Sequence, residues 1–185
     1  AFLVGFALHD EWMQQLKNTT MPTVLFDNYI ENNPNVAYVG TDSYEGIDMA
    51  VKHLHNLGHK KIAFINGSLF SLVSDQRQEA FENSMRDAGL EIYPELMGHG
   101  YYIPETAQYY VSNFIAAGAT AILCASDTIA KGVISECQLH GFNVPNDISV
   151  VGFDDVKFAA ALTPPLTTVR QERNDLGRCA YIILN

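Results

Sequence analysis

Short apolar runs alternate with segments of helical period along nearly the whole chain, and that alternation leaves few folds open. The runs are FLVGF (2–6), TVLFD (23–27), VAYVG (36–40), KIAFIN (61–66), LMGHG (96–100), TAILCA (120–125), ISVVGF (148–153) and LTTVRQ (166–171). Their length is that of a strand, and turn residues bound them. Between them Ile47, Ala50, Val51, Leu54 and Leu57 recur at three- and four-residue spacing, which predicts a helix over 46–57 ended by Gly58. Phe81, Met85 and Ala88 predict another over 75–88 ended by Gly89. Pro104 opens a third, carrying Ala107, Val111, Phe114 and Ile115 and closed by Gly118. A fourth covers 127–140 up to Gly141, and Leu176, Ala180, Ile183 and Leu184 mark the last. Alternating strands and helices, with the strands buried on both faces, give the α/β class: parallel sheets flanked by helices and joined by crossovers.

A length of 185 residues allows one domain or two small lobes. Three strands precede the helix at 46–57 and five follow it, so a lobe boundary is expected near 58–62. A three-stranded first lobe is thin, and it is expected to be incomplete.

Eleven Lys and Arg against 21 Asp and Glu leave a formal charge of −10. That charge repels a phosphate backbone or an anionic membrane surface, so the chain alone is not expected to grip DNA. No apolar run approaches the roughly 20 residues of a membrane helix, and the opening AFLVGFALHDEW lacks the basic start of a signal peptide. Cys124, Cys137 and Cys179 are an odd set without a CxxC pair, which suggests neither a disulfide framework nor a zinc ribbon, and fits a reducing, cytoplasmic setting. His53 and His55 are two apart on a helix and point to different faces, so no metal pair is expected there. Phosphate-loop, dinucleotide, nucleophile-elbow and zinc-protease motifs are missing from the sequence, and neither a cofactor nor enzymatic turnover is expected.

Open parallel sheets bind ligands beyond the carboxyl ends of their strands, where loops and helix N-termini offer unpaired donors. Those positions hold Asp27, Asp42, Asn66, Tyr101, Tyr102, Ser126, Asp127, Asp154, Asp155 and Gln171, with Arg77 in the first turn of a following helix. Carboxylates and an arginine can hold paired hydroxyls or amide edges in bidentate fashion, and a tyrosine face can lie on a ring. Asp42, Asp127 and Asp154 also stand where aspartate simply caps the next helix.

Five ordered motifs sharpen this picture: HLHNLGHKKIAFING (53–67), RQEAF (77–81), CASDTIAKG (124–132), VPNDISVVGFDD (144–155) and TPPLTTVRQ (163–171). Together they resemble the effector-binding core of the LacI/GalR family of bacterial transcription regulators. The resemblance implies a two-lobed, periplasmic-binding-protein-like fold with a small effector between the lobes. It also implies a homodimer, and an operator-binding helix-turn-helix outside this chain. On that comparison residues 1–58 form a partial N-terminal lobe, 59–171 the C-terminal lobe, and 172–185 a helix returning toward the N-terminal lobe. By position, Arg77, Tyr102, Asp154 and Gln171 match residues that line the family's effector cleft. Ser126 and Asp127 match its usual Asn-Asp pair, although the Ser126 hydroxyl offers one donor where an amide offers two. Glu45 stands where some members place a sugar-contacting acid. Acid, arginine and tyrosine suit a sugar or sugar derivative, while a nucleobase would also accept an aromatic stack and an Asp-Arg pair. A transport solute-binding protein of the same fold is the second reading.

Overall fold

The computed structural model describes the backbone of residues 2–4 and 10–185 and the side chains from residue 12 onward. In chain order the smaller of two units begins with β1 (Phe2–Val4), α1 (Asp10–Lys17), β2 (Thr23–Phe26) and β3 (Val36–Val39). The larger unit follows with α2 (Ser43–Asn56), β4 (Ile62–Asn66), α3 (Leu72–Asp87), β5 (Met97–His99), α4 (Val111–Ala116), β6 (Ala121–Cys124), α5 (Asp127–Leu139), β7 (Ser149–Asp154) and β8 (Thr167–Arg170). A 3₁₀ segment, Pro104–Tyr109, precedes α4. Helix α6 (Arg173–Leu184) rejoins the smaller unit, and Phe70–Val73 also belongs to it. The strand expected at 2–6 is present as β1, and Gly5 and Phe6 lie outside the described residues.

Strand alternation sorts the side chains of each sheet onto two covered faces. In the smaller unit the three strands run parallel in the order β1-β2-β3. Leu25 packs with Leu16 and Met13 of α1, while its neighbours Val24 and Phe26 pack with Leu176, Ala180 and Leu184 of α6. Helix α1 spans only eight residues and packs through Met13 and Leu16, too short a stretch for a repeating stripe to single out.

In the larger unit five parallel strands run in the order β5-β4-β6-β7-β8. Ile62, Phe64, Leu123, Val151 and Phe153 face α2 and α3, where they meet Ile47, Val51, Leu54, Phe81 and Met85. Ala63, Ile65, Ile122, Cys124 and Val150 face the other way, toward Val111 and Phe114 of α4 and Ile129, Val133 and Cys137 of α5. Phe64 and Phe81 stack with ring centroids 4.7 Å apart. Among the described residues no helix is long and apolar enough to cross a membrane.

The division between units falls after Asp42 and not near residue 58. Helix α2 therefore belongs with the strands that follow it, because its stripe of Ile47, Ala50, Val51 and Leu54 is sealed, at 3% exposure or less, against β4, β6 and β7. A helical stripe announces that it must be covered without saying which sheet covers it. The boundary expected from strand counting is corrected on that ground.

Cys124 is fully buried and Cys137 lies in the same core, while Cys179 is exposed on α6. Burial pushes the Cys137 thiol up to about 11 and the Cys124 thiol well above its ordinary value. One thiol is therefore expected to react with a thiol-specific reagent at neutral pH in the native chain, and all three after denaturation; spectrophotometric thiol counting checks this.

Candidate functional site

At the strand ends of the larger unit one buried guanidinium is held by residues at the ends of β6 and β7. Helix α3 starts at Leu72, three residues before the expected start, so Arg77 stands in its second turn. The residue is 3% exposed. A buried cation must be compensated at close range, and Arg77 finds three partners. Its Nη1 donates to the Ala125 carbonyl oxygen at 2.5 Å, its Cζ lies 3.9 Å from the centroid of the Phe153 ring, and its Nη2 is 3.9 Å from Asp154 Oδ1. The ring contact is a cation–π arrangement. Arg77 Nε is buried and makes no hydrogen bond.

Asp154 ends β7 with its side chain 20% exposed, and its Oδ1 accepts a hydrogen bond from Gln171 Nε2. Asp154 has φ +120° and Asp155 φ +51°. Each such conformation costs a non-glycine residue about 1–3 kcal/mol and persists only where the surroundings enforce it. Asp155 Oδ2 accepts from Arg170 Nε at 2.6 Å, which joins the ends of β7 and β8 a second time.

Tyr102 follows β5 in a turn where both it and Tyr101 have positive φ, +59° and +51°. Its ring lies against Gly67 so closely that any side chain at position 67 would collide with the phenol. The Tyr102 hydroxyl is 3.1 Å from Ser74 Oγ. Asn66 holds this corner together, since its Nδ2 donates to the Ser74 carbonyl at 2.9 Å and its Oδ1 accepts from Gly67 N at 2.8 Å. The loops after β4 and β5 and the start of α3 are thus one hydrogen-bonded unit.

Arg77, Asp154 and Gln171 come together as a contacting set, and Tyr102 stands at the same end of the sheet. Ser126 and Asp127 differ from expectation. The Ser126 hydroxyl caps α5 by accepting from Ile129 N at 3.2 Å. Asp127 is fully buried, with Oδ2 accepting from Val156 N at 2.8 Å and Oδ1 from Thr168 Oγ1 at 2.5 Å. Both carry structural bonds, so neither is retained among the ligand contacts offered below. Glu45 is exposed in the first turn of α2 and belongs to the larger unit, not to the N-terminal lobe where the sequence placed it. A side chain on the next residue, Gly46, would come within 2.7 Å of Phe153, so Glu45 lies near the ring that carries Arg77.

Sequence reasoning missed Ser74, Phe153, Thr168 and the Ala125 carbonyl. Their roles rest on neighbours distant in sequence, and a hydroxyl or phenyl ring gives no local sign of them. No cluster of His, Cys, Asp and Glu among the described residues could hold a metal ion. A carboxylate, a guanidinium, a primary amide and a phenol, each held by a neighbour, can donate hydrogen bonds to a polar molecule or accept them from it.

Against known proteins, the model of the periplasmic binding protein-like domain family matches residues 51–184. The chain belongs to that family. Within it, the chain is the core of a LacI/GalR-type regulator. It is 34% identical over 168 residues to the HTH-type transcriptional repressor PurR of Pasteurella multocida (strain Pm70), covering 90% of this chain and 50% of the relative. The LacI/GalR-type core spans about half the length of the curated relatives it matches. It superposes on the crystal structure of transcription regulator CcpA of Lactococcus lactis with TM-score 0.89 and 27% identity, covering 99% of this chain and 67% of that one. The transcriptional regulator CelR in complex with cellobiose is similar with TM-score 0.89 and 26% identity, covering 99% and 57%.

The Arg77 geometry yields a stability test. Arg77→Lys keeps the charge but loses the planar fork that stacks on Phe153 while bonding Ala125. An unfiltered loss of one charge-assisted bond and its stack is expected to cost about 1–3 kcal/mol, read as a lower denaturation midpoint.

Proposed function

We propose that this chain is the effector-sensing core of a bacterial transcriptional repressor. A small polar molecule binds at the carboxyl end of the larger unit's sheet through Asp154, Arg77, Gln171 and Tyr102, with Glu45 as a further acid contact. Binding then controls the attachment of a helix-turn-helix, elsewhere in the full-length homodimer, to its operator. The observation that carries this reading is the buried Arg77 held beside Asp154, which is itself held by Gln171. Evolutionary relatives named as transcriptional repressors favour a regulator over a transport solute-binding protein.

A sugar or sugar derivative is the proposed effector. One carboxylate beside one guanidinium presents both an acceptor pair and donors with little net charge, which suits vicinal hydroxyls. The similar CelR core is described with cellobiose. Coupling between effector and operator of this kind amounts to about 1–3 kcal/mol, carried by whatever difference in affinity the effector has for two arrangements of the core.

Thermal unfolding of the chain with cellobiose, glucose, galactose, ribose and, as the competing class, purine bases tests the proposal. A binder at 100 times its Kd is expected to add about 2.7 kcal/mol of stability. Stabilisation by a purine and not by any sugar would remove the sugar assignment; silence across both classes would remove this reading of the site. For the stabilising compound, Asp154→Asn is expected to weaken binding about tenfold or more by calorimetric titration, because a charge-assisted bond contributes roughly 1.5–3 kcal/mol. With a formal charge of −10, the chain by itself is expected to leave a short operator duplex unshifted in a low-salt gel.

A further inference from the structure

We infer that Asp127 and Thr168 are positioning residues for Asp154, and that Gly152 is glycine so that the Asp127 carboxylate can lie against β7. Asp127 opens α5 directly beyond β6, fully buried, on the face of the sheet that α5 covers. Its carboxylate reaches two other segments at once. Oδ2 accepts from the backbone N–H of Val156, two residues past Asp154, at 2.8 Å. Oδ1 accepts from Thr168 Oγ1 of β8 at 2.5 Å, and the Asp155 N–H stands 3.4 Å from the same hydroxyl. One buried carboxylate and one hydroxyl therefore grip the turn 154–156 from beneath.

That turn needs gripping. Asp154 and Asp155 are consecutive non-glycine residues with positive φ, a conformation that reverts unless neighbours hold it. Releasing Val156 N and Asp155 N would let the turn relax and rotate the Asp154 carboxylate away from Arg77 and Gln171. The partner strand is held by the same bonds, since Thr168 lies three residues before Gln171, whose side chain donates to Asp154.

Gly152 completes the device. A Cβ built there would collide with Asp127 Oδ1 and would lie 2.9 Å from Leu166 Cδ2. Of the residues of β7, only a bare Cα admits the carboxylate at this point. Three stretches far apart in sequence, the Ser-Asp at 126–127, the Gly-Phe-Asp-Asp at 152–155 and the Thr-Val-Arg-Gln at 168–171, are thereby one structural unit.

The inference takes from the proposed function only the importance of Asp154, and its test uses no effector, so a silent ligand panel leaves it standing. The readout is the Gln171 side-chain amide in nitrogen-15 correlated spectra of the whole chain, assigned by its disappearance in Gln171→Glu. In the wild type one of its protons is expected to be shifted downfield and slow to exchange, as a bond to a carboxylate requires. Thr168→Val is expected to lose that signature, and Thr168→Ser, which keeps the hydroxyl, to retain it. A Thr168→Val protein that melts earlier but shows the wild-type Gln171 signal would overturn the inference, because the hydroxyl would then support the fold without aiming Asp154. Loss of the signal in Thr168→Ser as well, or its absence in the wild type, would overturn it too. Should Thr168→Val fail to fold, hydrogen exchange of the wild-type Val156 amide decides: exchange as fast as that of exposed Lys157 would mean that Asp127 does not hold the turn.

Discussion

A parallel sheet covered by helices on both faces has no room for polar chemistry except at the ends of its strands. In the larger unit β4 is buried along its whole length, and β6 likewise, so every strand residue there is committed to packing. Polar side chains collect where the strands stop and the chain turns into helices, and that is where Asn66, Tyr102, Ser126, Asp127, Asp154 and Gln171 stand. The location of the proposed site follows from layer architecture before any ligand is considered.

Burial at that rim then dictates connection. A guanidinium at 3% exposure cannot stand alone, and its carbonyl partner comes from the residue after β6 and its ring and carboxylate partners from β7. A fully buried Asp127 needs donors for both oxygens and finds them on β8 and on the turn after β7. The cost of leaving either charge unpaired exceeds that of bending a turn into positive φ, which explains how consecutive strained residues survive at 154 and 155. Compensating buried charge thus ties the rim residues of neighbouring strands to one another.

Much of this was legible in the amino-acid order because its signals are local. Periodicity marked the eight strands found among the described residues, and the glycines expected to end helices at 58, 89, 118 and 141 do have positive φ. Arg77, Asp154 and Gln171 stand among the polar positions at or after strand ends, and the family resemblance singled them out. Their mutual contact was not legible, since 77 residues separate Arg77 from Asp154 and only the crossovers bring them together. Asp127 shows the converse: beyond a strand and at the mouth of a helix it looks like a ligand residue, yet its carboxylate faces inward.

The sequence by itself determined the α/β class, the strand ends as the place where polar side chains collect, and a net negative charge, because composition and period are properties of short windows. Only the tertiary structure decided that α2 packs with the larger unit, that Asp127 and Ser126 hold the scaffold, and that Gly152 makes room for a buried carboxylate. Which sheet covers an apolar stripe, and which way a polar side chain turns, depend on neighbours supplied by distant parts of the chain, and no local pattern encodes them.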